Sequence, residues 1–138
     1  IPLAPGSFAA QKYQLLISGT DTAFALAQKY DLIFGFGTDS QGSPALAARQ
    51  GAQLAKLARY YEPWEVLKIA TSQNYEIFKR SGPRDPYPGD NGVVREGAYA
   101  DLLLVDGNPL ENIDLIADPE KNFVIIMKDG VIYKDTLQ

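Results

Sequence analysis

The chain of 138 residues contains no cysteine and no histidine. Without cysteine it has no disulfide framework, no thiolate zinc site and no cysteine nucleophile, and its redox compartment leaves no trace in the sequence. Without histidine it lacks the usual general base near neutral pH and the commonest imidazole metal ligand. Any chemistry of its own must run on carboxylates, hydroxyls, Lys or Arg. No apolar run approaches the roughly 20 residues that span a bilayer. The opening Ile1-Pro2-Leu3-Ala4-Pro5-Gly6 has neither a basic n-region nor an apolar h-region. A soluble chain with no membrane partner is expected, with the cytoplasm as the favoured compartment.

What is present suffices for a folded domain. Hydrophobic residues make up 46% and aromatics 11%, enough apolar surface for a core in one domain of ordinary length. The net charge is -4 and both signs are scattered, which gives no sign of a nucleic-acid partner. The sequence does not begin with Met and enters directly into mid-domain material, so the expectation is a fragment.

Along the chain, Phe8 to Tyr30 is patterned as two helices interrupted at Ser18-Gly19-Thr20-Asp21, with Thr20 or Asp21 as N-cap of the second. Asp31 to Phe36 lacks alternation and reads as a strand buried on both faces, about 32–36. It ends in the polar loop Gly37-Thr38-Asp39-Ser40-Gln41-Gly42-Ser43-Pro44. Ala45 to Tyr60 is rich in helix formers, and a further helix, opened by Pro63, runs to about Lys79. Helix, buried strand, polar loop, helix is the grammar of a parallel α/β protein, whose functional groups sit at the C-terminal ends of strands. Asp39 falls just past such an end.

Residues 81–92, dense in Gly, Pro and Asx, form a linker loop. Beyond it the pattern turns to β: Val93-Val94-Arg95, Ala100 to Asp106, Asn122 to Lys128 and Val131 to Lys134. Asp129-Gly130 is a hairpin signal, because both central positions of a type I′ turn take positive φ.

Gly35-Phe36-Gly37-Thr38-Asp39-Ser40 has the look of a phosphate-binding loop but fails in detail. Ser40 stands at the third glycine position, no acidic strand end follows about 20 residues on, and no Gly-Lys-Ser/Thr is present. Asp39 has two readings. Caps are far commoner than catalytic residues, so local sequence by itself favours an N-cap or turn role. The alternative is a carboxylate at a strand mouth, acting as metal ligand and proton acceptor. The Asp85 to Asn91 loop lacks the order of a Ca²⁺ loop and reads as a solvated linker. Arg49, Lys56 and Arg59 read as a wet helix face, and Tyr60, Tyr61 and Trp64 as packing around a helix junction.

At Gly37-Thr38-Asp39-Ser40 the sequence resembles the end of the last barrel strand in amidohydrolase-superfamily enzymes. Three further segments agree, in order, across about Asp31 to Asp135. Glu62-Pro63-Trp64-Glu65-Val66-Leu67-Lys68-Ile69-Ala70-Thr71 is similar to that family's helix in which a Pro starts a run ending in Ala-Thr. Gly92 to Leu110 resembles its Gly-x-Ile-x-x-Gly-x-x-Ala-Asp-Leu segment, and Val124 to Tyr133 its closing Val-Ile-Lys-Asp-Gly hairpin. The subgroup it looks most like is the imidazolonepropionase-like and Xaa-Pro dipeptidase-like hydrolases. Two features depart from the pattern. Tyr60-Tyr61 stands where a Gly-containing turn is common, and the Arg80 to Asn91 loop is longer than usual.

The resemblance implies an α/β fold: a (β/α)₈ TIM-type barrel beside a small β-sandwich. Residues 1–80 would be the last barrel strand and its helices, 81–92 the linker, and 93–138 the C-terminal part of the sandwich. Such a barrel needs about 250 residues, so the chain would be a C-terminal fragment. Earlier strands would supply histidines, and a carboxylated lysine or Glu, to one or two divalent metal ions, with zinc expected. Asp39 matches the family aspartate that binds metal and takes a proton from the activated water. Asp101 would be structural, opening the buried strand Leu102 to Val105. The implied activity is hydrolysis of an amide, cyclic amide or peptide bond in the full-length protein, the fragment alone being inactive. The implied partners are the missing N-terminal portion, a small-molecule or dipeptide substrate, and further copies in a homo-oligomer. Two alternatives are a non-catalytic assembly module and a superfamily relative without a metal site. A fragment would leave strand edges and apolar helix faces uncovered, and is expected to stay bound to the missing portion, exchange elements with copies of itself, or aggregate. One carboxylate alone is a poor zinc site. Metal analysis of the purified chain should therefore find far less than one equivalent of zinc, and a stoichiometric, dialysis-resistant ion would contradict this reading.

Overall fold

The computed structural model of the chain describes residues 3–40 and 42–137, so Ile1, Pro2, Gln41 and Gln138 lie outside the described residues. The chain divides into two compact units, 1–33 and 34–138.

The first unit is built on one helix, α1 (Phe8–Lys29), with Ser7 as its N-cap accepting from the Ala10 N–H at 3.2 Å. The expected break into two helices is not found. The Ser18 and Thr20 hydroxyls donate back to the Leu15 and Leu16 carbonyls, at 3.3 and 2.8 Å, instead of capping a new helix. Gly19 between them costs about 1 kcal/mol relative to Ala, which a 22-residue helix tolerates. The helix closes in a Schellman motif. Leu32 N–H donates to the Ala27 carbonyl and Asp31 N–H to that of Gln28, with Asp31 at φ 48°.

The strand expected at 32–36 is absent: residues 32–40 form neither helix nor strand. A strand exists through hydrogen bonds to a neighbour, and among the described residues none lies alongside. The helix expected over 45–60 is divided into α2 (Pro44–Ala47), α3 (Gln50–Ala55) and a 3₁₀ segment, Lys56–Arg59. The next helix begins at Pro63 as expected. The proline sits where its missing N–H is no loss, and the Glu65 carboxylate accepts from the Glu62 N–H at 2.9 Å. This helix is α4 (Pro63–Lys68), a π-helical turn (Ile69–Gln73) and α5 (Asn74–Lys79).

Val93-Val94-Arg95 is not a strand. Val94 is 88% exposed, and Arg95 turns back to pair with Asp90. One antiparallel sheet follows, β1 (Leu102–Val105), β2 (Phe123–Lys128) and β3 (Val131–Asp135), in the order β1-β2-β3. Leu103 pairs with Ile126, and Ile126 with Lys134. Asp129 and Gly130 take φ of 50° and 75°, the two positive values of a type I′ turn. Asp101 is structural as expected, but the strand it opens is not buried: Leu102 to Leu104 are exposed. Asp101 Oδ1 accepts from the Asp129 N–H at 2.8 Å, while the Ala100 carbonyl accepts from Gly130 N–H, tying the turn to the start of β1. A second sheet of the expected sandwich is not present among the described residues.

The core is Ala55, Val66, Ile113 and Ile116, with Leu54, Leu57, Tyr61, Leu67 and Phe123 packed against it. Val66 is fully buried, and burying a side chain of this kind is worth about 1.5–3 kcal/mol. Trp64, expected in the packing, is instead half exposed, because it occupies the opposite side of α4 from Val66. The closest packing is at Gly51 in α3, where a Cβ would strike the backbone carbonyl of Ile116. Overpacking of this kind costs typically 1–3 kcal/mol. Gly51→Ala should lower unfolding stability in urea by about that amount in the complete protein, and an unchanged midpoint would mean that α3 and Ile113–Ala117 are not this tightly seated.

Candidate functional site

Asp39 is the residue on which the functional reading turns. It does not cap a helix. The cap of α2 is Ser43, whose Oγ accepts from Leu46 N–H at 3.3 Å. Thr38 and Ser40 are occupied with one another, the Ser40 hydroxyl donating to Thr38 Oγ1 at 2.9 Å. Among the described residues nothing hydrogen-bonds or pairs with the Asp39 carboxylate, which is exposed.

The backbone adds a second observation. Asp31, Asp39 and Asp129 are the non-glycine residues with positive φ among those described. Asp31 terminates a helix and Asp129 turns a hairpin, both places that call for this conformation. Asp39, at φ 48°, does neither. For an L-residue the left-handed region costs about 1–2 kcal/mol, less for Asp than for most. An unforced outlier of this type is a pointer to function.

The segment leading to Asp39 is held by a residue that the sequence did not single out. Phe36 N–H donates to Asn74 Oδ1 at 2.9 Å, and Asn74 Nδ2 donates to the Phe36 carbonyl at 3.1 Å. Two backbone polar groups that a neighbouring strand would satisfy are thus taken by one side chain. In the sequence Asn74 follows the polar residues Thr71, Ser72 and Gln73, and nothing local points to a partner 38 residues away.

Two cavities among the described residues of this unit lie away from Asp39. One, of about 480 Å³, is lined by apolar groups including Phe36, Leu54, Leu67, Leu103 and Phe123; the other, about 270 Å³, lies among Phe36, Leu46, Arg49, Ala52, Gln53 and Lys56. Asp39 lines neither, and the larger lacks the convergent polar groups of a ligand site. The phosphate-loop alternative gains nothing, since Gly35 faces Asn74 and Ile77 and the helix that follows has only four residues. Among the described residues no three His, Cys, Asp or Glu side chains come together as a metal site. As a hard oxygen donor with no competing partner, Asp39 fits a divalent metal as a single ligand, but not as a complete set. No helix among the described residues is long and apolar enough to cross a membrane.

Residues 10–134 match the Amidohydrolase family. The chain belongs to the amidohydrolase family. Solved structures agree with the assignment. A crystal structure of an amidohydrolase is 30% identical with a TM-score of 0.71, over 85% of this chain and 26% of that one. A prolidase complexed with N-methylphosphonate-L-proline is 29% identical with a TM-score of 0.69, over 83% of this chain and 26% of its own. The ochratoxinase of A. niger is 27% identical with a TM-score of 0.75, over 97% of this chain and 28% of its own. No curated protein sequence matches. This amidohydrolase chain therefore spans about a quarter of the length of the solved structures it resembles.

The linker is more ordered than its composition implies, and its acidic residues are engaged. Asp90 pairs with Arg95 and lies 3.6 Å from Lys79 Nζ, and the Tyr75 hydroxyl donates to the Gly89 carbonyl at 2.7 Å. The Arg95 hydrogen bond, helped by its charge, by Tyr75 and by Lys79, holds the Asp90 carboxyl below its ordinary value of 3.8. A depressed carboxylate contributes stability that is present above the unfolded value and is lost as pH falls through the folded one. Asp90 in the amidohydrolase should therefore titrate by NMR below pH 3.8, and loop protection should be lost in that acid range. Arg95→Met should move the titration upward; an unmoved value would show that Arg95 is not its partner in solution.

Proposed function

We propose that this chain is the C-terminal part of a metal-dependent hydrolase that cleaves an amide, cyclic amide or peptide C–N bond, with Asp39 as metal ligand and proton acceptor. The observation that carries the reading is the Asp39 carboxylate itself: exposed, in an unforced left-handed conformation, and without a hydrogen bond or ion pair among the described residues. Family membership and hydrolase neighbours support it, and the prolidase neighbour favours the Xaa-Pro dipeptidase-like side of the subgroup over the imidazolonepropionase-like side.

A divalent metal, zinc by preference and one or two ions in the complete enzyme, supplies a lowered pKa for water, towards about 7. Asp39 accepts the proton that the water gives up and returns it to the leaving nitrogen, so that one carboxylate serves as base and then acid. Thr38 and Ser40, bonded to each other, leave that carboxylate uncontested. The remaining ligands and the substrate groups come from the portion of the protein outside this chain. That portion is the first partner of the chain, the substrate is a small molecule or dipeptide, and assembly is as a homo-oligomer. The exposed apolar residues of β1 and β3, Leu102, Leu103, Leu104, Val131 and Ile132, support a covering portion of this kind.

Asp39→Asn in the complete enzyme should lower kcat by about 10²–10⁴-fold, the range of a general acid-base group, with the fold retained by circular dichroism. Full activity in that variant would remove Asp39 from the mechanism.

A further inference from the structure

We infer that Asn74 is a positioning residue for Asp39, holding the segment that ends at the aspartate through a paired contact with the Phe36 backbone; this rests on the reading of Asp39 as the reacting carboxylate. The contact is bidentate. Asn74 Oδ1 accepts from Phe36 N–H at 2.9 Å and Nδ2 donates to the Phe36 carbonyl at 3.1 Å. A third bond, Nδ2 to the Ala70 carbonyl at 3.3 Å, fixes the amide to its own helix. Three bonds from one short side chain leave it no alternative rotamer that keeps them.

Two features of the sequence serve this contact. Asn74 follows directly on the π-helical turn Ile69–Gln73, and its backbone N–H goes to the Thr71 carbonyl, so that the side chain takes the Ala70 carbonyl instead. Such turns recur at functional sites because they re-aim a side chain. Opposite, Gly35 is the seat of the amide. A Cβ there would run into Asn74 Oδ1 and come within 2.9 Å of Ile77 Cδ1. The positions of Gly35, Phe36 and Asn74 are therefore interdependent, and Asp39 begins three residues beyond Phe36. Three residues span at most about 10 Å, and they contain no regular structure to absorb a shift. Freed from Asn74, the segment moves and carries the carboxylate with it.

The test uses the complete enzyme with Asn74→Leu, Gly35→Ala, Asp39→Asn and the double variant Asn74→Leu/Asp39→Asn. Phe36 amide exchange should be protected in the wild type and should lose that protection in Asn74→Leu. The same variant should lower kcat by about 10²-fold, the cost of roughly 1 Å of misplacement, with KM within twofold. In the Asp39→Asn background it should cost nothing more, since a positioning residue has no effect once the positioned group is gone. An equal further loss in that background, or unchanged Phe36 exchange, overturns the inference. If Asn74→Leu does not fold, Gly35→Ala displaces the same amide and carries the same expectations. Full activity of Asp39→Asn, by contrast, overturns the reading of Asp39 as the reacting carboxylate and with it the catalytic half of this inference, and Phe36 exchange still decides whether the contact exists.

Discussion

The Asn74 amide gives the Phe36 backbone the two hydrogen bonds that a strand neighbour would give. An apolar segment such as Leu32 to Phe36 cannot leave its peptide groups unsatisfied when covered, and at Phe36 this one side chain satisfies them. That contact lies three residues before Asp39, on the first residue of α5. The need for glycine at position 35 goes with this contact, and the break in helical register at Ile69–Gln73 directly precedes it.

Around it the second unit is held by a small core. α3 lies against Ile113–Ala117 closely enough that Gly51 admits no side chain, and Val66 is sealed between them and the junction at Tyr61. The sheet contributes Phe123 to this core but leaves Leu102 to Leu104 and Val131 to Tyr133 largely exposed. Amidohydrolase membership and coverage of about a quarter of related structures give these surfaces a physical meaning. Apolar area left open here is area that a larger protein has the means to cover.

What the sequence made legible was mostly what local chemistry decides. Pro63 with Glu65 starts a helix because a missing N–H and a reaching carboxylate suit its first turn, and Asp129-Gly130 turns a hairpin because both residues tolerate positive φ. Family motifs supplied the significance of Asp39, which local residues alone read as a cap or turn residue; the structure gives the cap to Ser43 and leaves Asp39 in the loop. The errors lie where a choice depends on something distant or on competition between bonds. Ser18 and Thr20 could cap or bond back, and bond back. Val93 to Arg95 has strand composition, but Arg95 finds Asp90 first. Residues 32–36 have the composition of a barrel strand, and composition does not supply a neighbour. Asn74 was invisible for the same reason, since its partner lies 38 positions earlier.

The central claim is that Asp39 is a metal ligand in the complete protein and not a turn residue. Anomalous X-ray scattering at the metal absorption edge, from crystals of the complete enzyme, tests it most directly. A divalent ion is expected with an Asp39 carboxylate oxygen at about 2.0–2.2 Å, the usual zinc–oxygen distance. A metal centre formed without Asp39, with its carboxylate turned to solvent or bonded to its own loop, would contradict it.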